Sequence, residues 1–153
     1  MTAKEFLRGI RIANDNVNSA IRRLEIYREK AMYGTGSKEA ERISGTSQRS
    51  RVEENVCRMI DLERKLETER RLMTDANEAV DLYVDRREDA KALIRRMPQE
   101  RFREVLWRYY IDGLSWGQVF DQMGINARSH GFRLHGWALL EFSKIMRNHP
   151  ESS

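Results

Sequence analysis

The sequence predicts an all-α protein, a long N-terminal antiparallel helical hairpin of coiled-coil type followed by a C-terminal three-helix helix-turn-helix domain. Three observations carry this expectation. Only two prolines occur, Pro98 and Pro150, so little interrupts helix before residue 98. Apolar residues in the first half recur at alternating steps of four and three, the period of a helical seam. After Pro98 three short apolar segments are separated by Asp112-Gly113 and Met123-Gly124, pairs suited to tight turns.

The first helix is expected from Thr2, where Glu5 completes a capping-box spacing. Phe6, Ile10, Ala13, Val17, Ala20, Leu24, Tyr27 and Ala31 form its seam, with Leu7, Ile21 and Ile26 flanking. It is expected to stop near Tyr33, because Gly34, Gly36 and Ser37 follow. Residues 34–50, rich in Gly, Ser and Thr, read as a flexible connector with one weak helical turn around Glu39–Ile43.

A second, longer helix is expected from Arg51 to Met97. Val52, Met59, Leu66, Met73, Val80 and Ile94 supply one seam position, interrupted by Arg87. Leu62, Ala76, Tyr83, Ala90 and Met97 supply the other, interrupted by Asn55 and Glu69. At 1.5 Å per residue this helix would be roughly 70 Å long and the first about 45 Å. The last third of the longer one would then lie beyond the hairpin, its Tyr83, Ala90, Leu93 and Ile94 needing cover from the C-terminal domain or a second chain.

Residues 98–147 form the second expected domain, and 148–153 a tail. Pro98 ends or kinks the long helix and suits an early position of the next. Phe102, Val105, Leu106 and Tyr109 give the first helix its apolar face. Ser115 with Gln118 marks the start of a second helix, whose inner face is Leu114, Val119, Phe120 and Met123. Asn126 can cap a third, with Ala127, Gly131, Leu134, Ala138 and Ile145 on one side and Asn126, His130, Arg133 and Lys144 on the other. Gly131 is costly there, by about 1 kcal/mol relative to alanine in a helix interior.

Charge is clustered more than its total of +4 suggests. Lys91, Arg95, Arg96, Arg101, Arg103 and Arg108 outnumber Glu100 and Glu104, and Arg128, Arg133, Lys144 and Arg147 outnumber Glu141. Such clusters supply phosphate contacts. The order helix, turn, short helix, turn, basic helix is that of a DNA reader, with Arg128, Ser129, His130 and Arg133 where a recognition helix meets base edges. Arginine there can present its fork to guanine.

Catalysis and metal binding find no support in the residue pattern. Cys57 stands alone, which excludes a disulfide framework and a cysteine-rich metal site. His130 and His135 are spaced onto different sides of a helix, and no phosphate-binding glycine loop or nucleophile motif occurs. No catalytic residue, metal or cofactor is therefore expected. The start lacks the apolar core of a signal peptide and no apolar run reaches a membrane span, so a cytoplasmic, non-membrane protein is expected.

Met97-Pro98-Gln99-Glu100-Arg101 followed by Leu106-Trp107-Arg108-Tyr109-Tyr110-Ile111-Asp112-Gly113-Leu114-Ser115-Trp116 resembles the opening of sigma factor region 4. Arg133-Leu134-His135-Gly136-Trp137-Ala138-Leu139 resembles the end of the same domain. The combination is most similar to phage and prophage proteins with a sigma-like helix-turn-helix, related to the ArpU and RinA late transcription regulators. The resemblance implies sequence-specific regulation of transcription in the cytoplasm of a bacterial host. It implies Arg128, Ser129, His130 and Arg133 as base readers, with Asn126 also at the DNA, and Ser115, Trp116 and Gln118 near phosphates at a helix N-terminus. Double-stranded DNA is the expected partner, with RNA polymerase and a second copy of the chain, joined through the hairpin, as further ones. Alternatives are a phage DNA-packaging or assembly component resembling a small terminase, and a protein-binding adaptor that kept the sigma-like fold.

Overall fold

The computed structural model describes residues 1–33 and 48–148. These are helical apart from the N-terminus and short turns, with no strand among the described residues. The order is α1 (Ala3–Tyr33), α2 (Gln48–Arg95), α3 (Glu100–Leu106) continuing into a π-helical turn (Trp107–Ile111), α4 (Trp116–Met123) and α5 (Arg128–Arg147). The helical turn expected around Glu39–Ile43, and the tail beyond residue 148, lie outside the described residues. No helix among the described residues is long and apolar enough to cross a membrane.

The chain divides into two units, Met1–Asp15 with Val80–Ser153, and Asn16–Ala79. In the first, α1 starts with the expected capping box. The Glu5 amide donates to Thr2 Oγ1 at 3.2 Å and the Thr2 amide to Glu5 Oε2 at 2.9 Å. The buried stripe of α1 begins on Ala3, Leu7 and Ile10, while Phe6 is only half-buried. The expected seam holds at Ile10, Ala13, Val17 and Ala20, but it opens on Ala3 and Leu7 instead of Phe6. Phe6 lies at its margin, its ring centre 5.8 Å from that of Phe142.

The last turns of α2 bury Ala90, Leu93 and Ile94, and Met97 follows them into the same core. α2 ends two residues earlier than expected. The amides of Arg96 and Met97 reach back to Leu93 and Ile94, the tighter bonding common at a helix end. Pro98 then precedes the N-cap Gln99 instead of entering α3. Its ring disfavours helical geometry at Met97, which separates the two helices.

The core of this unit joins Leu7, Ile10, Ile94, Val105, Leu106 and Phe142, all essentially inaccessible. The last third of α2 is therefore covered within the chain. Arg86 donates to the Gly9 carbonyl at 3.2 Å, which sets the opening turns of α1 against the closing turns of α2.

In the second unit the later turns of α1 meet earlier turns of α2. The Tyr27 hydroxyl donates to the Lys65 carbonyl at 3.1 Å, and Arg28 pairs with Glu69 at 3.0 Å. Glu69, an interruption in the sequence pattern, is thus a charge partner. Val17, Ala20 and Ala76 are buried.

The heptad series of α2 divides its labour unevenly. Ala76, Tyr83, Ala90 and Met97 are buried or half-buried, but Val52, Met59, Leu66, Met73 and Val80 are exposed. Leu62 of the other series is exposed as well, and the series of Val52, expected to share the seam, does so only at Ile94. With Thr68, Leu72 and Ala79 half-buried instead, the sheltered side of α2 is turned away from that series.

Candidate nucleic-acid interface

α3 passes into its π-helical turn without a break. The Asp112 amide bonds the Trp107 carbonyl at 2.9 Å, five residues back. One extra residue in the turn rotates everything after it. Tyr110 and Ile111 consequently become buried, whereas Tyr109, expected on the apolar face, is half-buried. Gly113 closes the helix at φ +73°, a left-handed conformation that suits glycine. The Leu114 amide bonds back to the Arg108 carbonyl at 3.1 Å.

Arg11 of α1 takes the carbonyl that this arrangement leaves over. Its Nη1 donates to the Tyr109 oxygen at 2.8 Å and reaches the Leu114 oxygen at 3.4 Å. The guanidinium carbon stands 4.1 Å from the centre of the Tyr109 ring. Tyr109 in turn stacks on Trp116, centroids 3.7 Å apart and planes 11° from parallel. His135 meets the Trp116 ring at 4.5 Å and a steep angle. Four helices, α1, α3, α4 and α5, are thereby fastened through one stack.

The Tyr110 hydroxyl and His135 Nε2 share a 2.9 Å hydrogen bond. Burial pushes the Tyr110 hydroxyl up to about 12. Burial, aided by the Lys4 charge, pushes His135 down to about 4. His135 is a neutral packing residue at physiological pH.

α4 opens with the capping box read from the sequence. The Gln118 amide donates to Ser115 Oγ at 3.3 Å and the Ser115 amide to Gln118 Oε1 at 3.0 Å. Gly124, at φ +70°, ends α4, and the Ile125 amide bonds the Phe120 carbonyl at 2.8 Å. α5 then starts on Arg128. Its N-cap is Ala127, which offers no side-chain bond, and not Asn126. The second tight turn is one residue longer than that expectation, because Ile125 is drawn into the core at 7% exposure.

Gly131 explains itself here. A Cβ on it would lie 2.4 Å from Phe120 Cε1 and 2.5 Å from Phe120 Cζ. The ring belongs to a packed cluster, 5.3 Å from Phe132 and 5.6 Å from Trp116 by centroids. The helix-propensity cost of glycine is offset by the close approach of α4 and α5.

Among the sequence-derived site residues, Asn126, Arg128, Ser129, His130 and Arg133 are all exposed around the start of α5. Gly131, Leu134 and Ala138 form its buried face. Ser115 and Gln118 are exposed at the start of α4, though their side chains are engaged with each other's backbone. Trp116 is half-buried in the aromatic stack, so its ring serves packing and only its backbone amide faces the helix start.

The basic cluster between residues 91 and 108 is largely tied up internally. Arg108 bonds Glu104 at 2.9 Å and also Gln122, Arg103 donates to the Met97 carbonyl, and Lys91 pairs with Glu88 at 3.0 Å. Lys91 and Arg95 also flank the Trp107 ring.

Lys4 and Arg8 are the residues that sequence reasoning missed. With Arg11 they line one cleft of about 580 Å³ together with Tyr109, Phe132 and His135. Their four- and three-residue spacing on α1 was readable, but their nearness to α5 depends on long-range packing. Phe132 and Trp137 also stand exposed on α5, at 42% and 48%. The Arg128 guanidinium lies 5.8 Å from the Phe132 ring centre. Comparison with protein-family models, with curated proteins and with solved structures finds no match for this chain.

Proposed function

We propose that this protein is a sequence-specific DNA-binding regulator of transcription, of the phage type that its sequence resembles. In this reading α3, α4 and α5 act as a sigma-region-4-like helix-turn-helix domain and α5 lies in the major groove. The observation that carries it is the polarity of α5. Arg128, Ser129, His130 and Arg133 are exposed in its first two turns, while Gly131, Leu134 and Ala138 are buried behind them. A reader helix needs that division between base-facing and core-facing residues.

Arg128 and Arg133 are the proposed base readers, with Asn126, Ser129 and His130 beside them. Ser115, Gln118 and the amide of Trp116 approach a phosphate at the start of α4, where free amides favour anions. Lys4 and Arg8 extend the same basic surface and add phosphate contacts, which raise affinity without reading sequence. The long helices α1 and α2 join two copies, or dock the domain on RNA polymerase, in the cytoplasm of a bacterial host. A chain of this function carries out no catalysis and holds no cofactor.

Gel-shift titration with DNA from the region around its own gene tests the reading. A discrete shift on a subset of fragments supports it. Equal, weak binding to every duplex opposes it.

The packaging or assembly alternative draws on one observation, the exposed apolar series of α2. Rings of many subunits in light scattering favour that alternative, whereas a dimer or monomer favours the regulator.

A further inference from the structure

The exposed series of α2 has an internal symmetry. At heptad spacing it reads Val52, Met59, Leu66, Met73, Val80, the same in both directions about Leu66. All five are exposed, from 64% at Met59 to 37% at Val80. Single exposed apolar residues are ordinary, but five in register along one helix form a seam. Within one unit the stripe runs from Val52 to Met73, about 32 Å along the helix. It lies away from the side of α2 that bears Ala76, Tyr83 and Ala90.

The neighbouring positions, four residues after each of these, are Val56, Glu63, Arg70, Asn77 and Val84, all exposed. Glu63 and Arg70 fall on either side of Leu66, at nearly equal distances. If two copies paired in parallel, this flank of one copy would face the opposite flank of its partner, and Glu63 and Arg70 would not meet. Reversing one copy places Glu63 beside Arg70 twice, and stacks Met59 on Met73 around a central Leu66 pair. Like charges across a helical interface are unfavourable and opposite ones set orientation. Glu53, Glu67 and Asp81 fall further round the helix and are exposed, at the solvent edge of either arrangement.

We infer that a second copy of this chain docks antiparallel on α2, centred on Leu66, with Glu63 of each copy beside Arg70 of the other. This deepens the self-pairing proposed above and rests on it. The partner is another α2 because the stripe is complementary to its own reverse in both shape and charge.

Disulfide trapping in the full chain tests the inference, in a Cys57→Ser background so that only introduced thiols react. Met59→Cys and Met73→Cys proteins are oxidised separately and as a mixture. The antiparallel pairing gives a covalent dimer from the mixture and almost none from either alone. Cross-linking of each variant with itself, and none between them, overturns the polarity.

Light scattering of Glu63→Arg supplies the second readout. Its dissociation constant should rise several-fold over the parent, and Glu63→Arg with Arg70→Glu should restore dimerisation. Failure of the double variant to recover overturns the charge pairing. A full chain that is monomeric and forms no cross-link overturns both this inference and the self-pairing, while the DNA titration stands apart from either result.

Discussion

Arg11 of α1 donates to the carbonyl of Tyr109 at 2.8 Å and lays its guanidinium 4.1 Å from the centre of the same residue's ring. One side chain thus caps the π-helical turn and extends the stack that ends on Trp116. Removing it leaves a half-buried carbonyl without its charged donor. Arg11→Ala is expected to cost about 1.5–3 kcal/mol, the range for hydrogen bonds to charged groups. Arg11→Lys should fall between, since an ammonium can reach the carbonyl but cannot stack as a flat group. Urea unfolding of both variants checks the order.

Gly131 and Phe120 are coupled through a clash that glycine avoids. Gly131→Ala gains about 1 kcal/mol of helix propensity. It meets a buried ring, and overpacking typically costs about 1–3 kcal/mol. Net destabilisation is expected. Gly131→Ala combined with Phe120→Leu should be less destabilised than the two single changes summed. Additivity in a double-mutant cycle would contradict the contact.

Stability should fall on the acid side through His135. Its folded value of about 4 lies below the usual 6.5, so the folded state favours the neutral ring. The contribution is complete above pH 6.5 and is lost as pH falls through the folded value. Tyr110 behaves as a raised acid, about 12 against 10, so its contribution is present below pH 10 and lost as pH rises towards 12. Chemical denaturation from pH 7 to 4 should show a shallower decline for His135→Gln than for the parent. Parallel curves would remove His135 from the explanation.

The start of α5 separates stability from binding. Ala127 occupies the N-cap without a side-chain bond. Ala127→Asp supplies an acceptor there, and a good N-cap is worth about 0.5–2 kcal/mol over alanine. The same carboxylate sits beside Arg128 and would repel phosphates. Thermal unfolding should therefore show a more stable protein, and anisotropy titration a weaker DNA complex.

The helices and both capping boxes were legible because they depend on local spacing. Thr2 with Glu5 and Ser115 with Gln118 form the reciprocal bonds that their order implies. The π-helical turn was not legible, since no residue in Trp107–Ile111 forces five-residue bonding. That one inserted residue carried Tyr110 and Ile111 into the core. Phe142, fully buried, was also missed as core, because its cover comes from distant elements including Phe6. On α2 two heptad series looked alike in sequence. Only packing distinguishes the buried Ala76 and Ala90 from the exposed Met59 and Leu66.

The candidate site divides similarly. Arg128, Ser129, His130 and Arg133 follow from helical spacing on α5 and are exposed as expected. Trp116 looked like a surface residue at a helix start, but the long-range stack on Tyr109 claims its ring. Lys4 and Arg8 are more than a hundred residues from α5 in the chain, beyond the reach of any local pattern.

In the proposed function α5 reads DNA through Arg128 and Arg133. The most direct measurement is fluorescence anisotropy with a selected duplex and a scrambled one, over a series of salt concentrations, for the parent, Arg128→Ala, Arg133→Ala and Lys4→Ala with Arg8→Ala. Each α5 change should weaken the selected duplex by about 1–3 kcal/mol where a two-pronged base contact is lost, and narrow its advantage over the scrambled one. The Lys4 and Arg8 changes should weaken both duplexes alike and flatten the salt dependence. Undiminished discrimination after loss of both arginines, in folded protein, would contradict the proposed function.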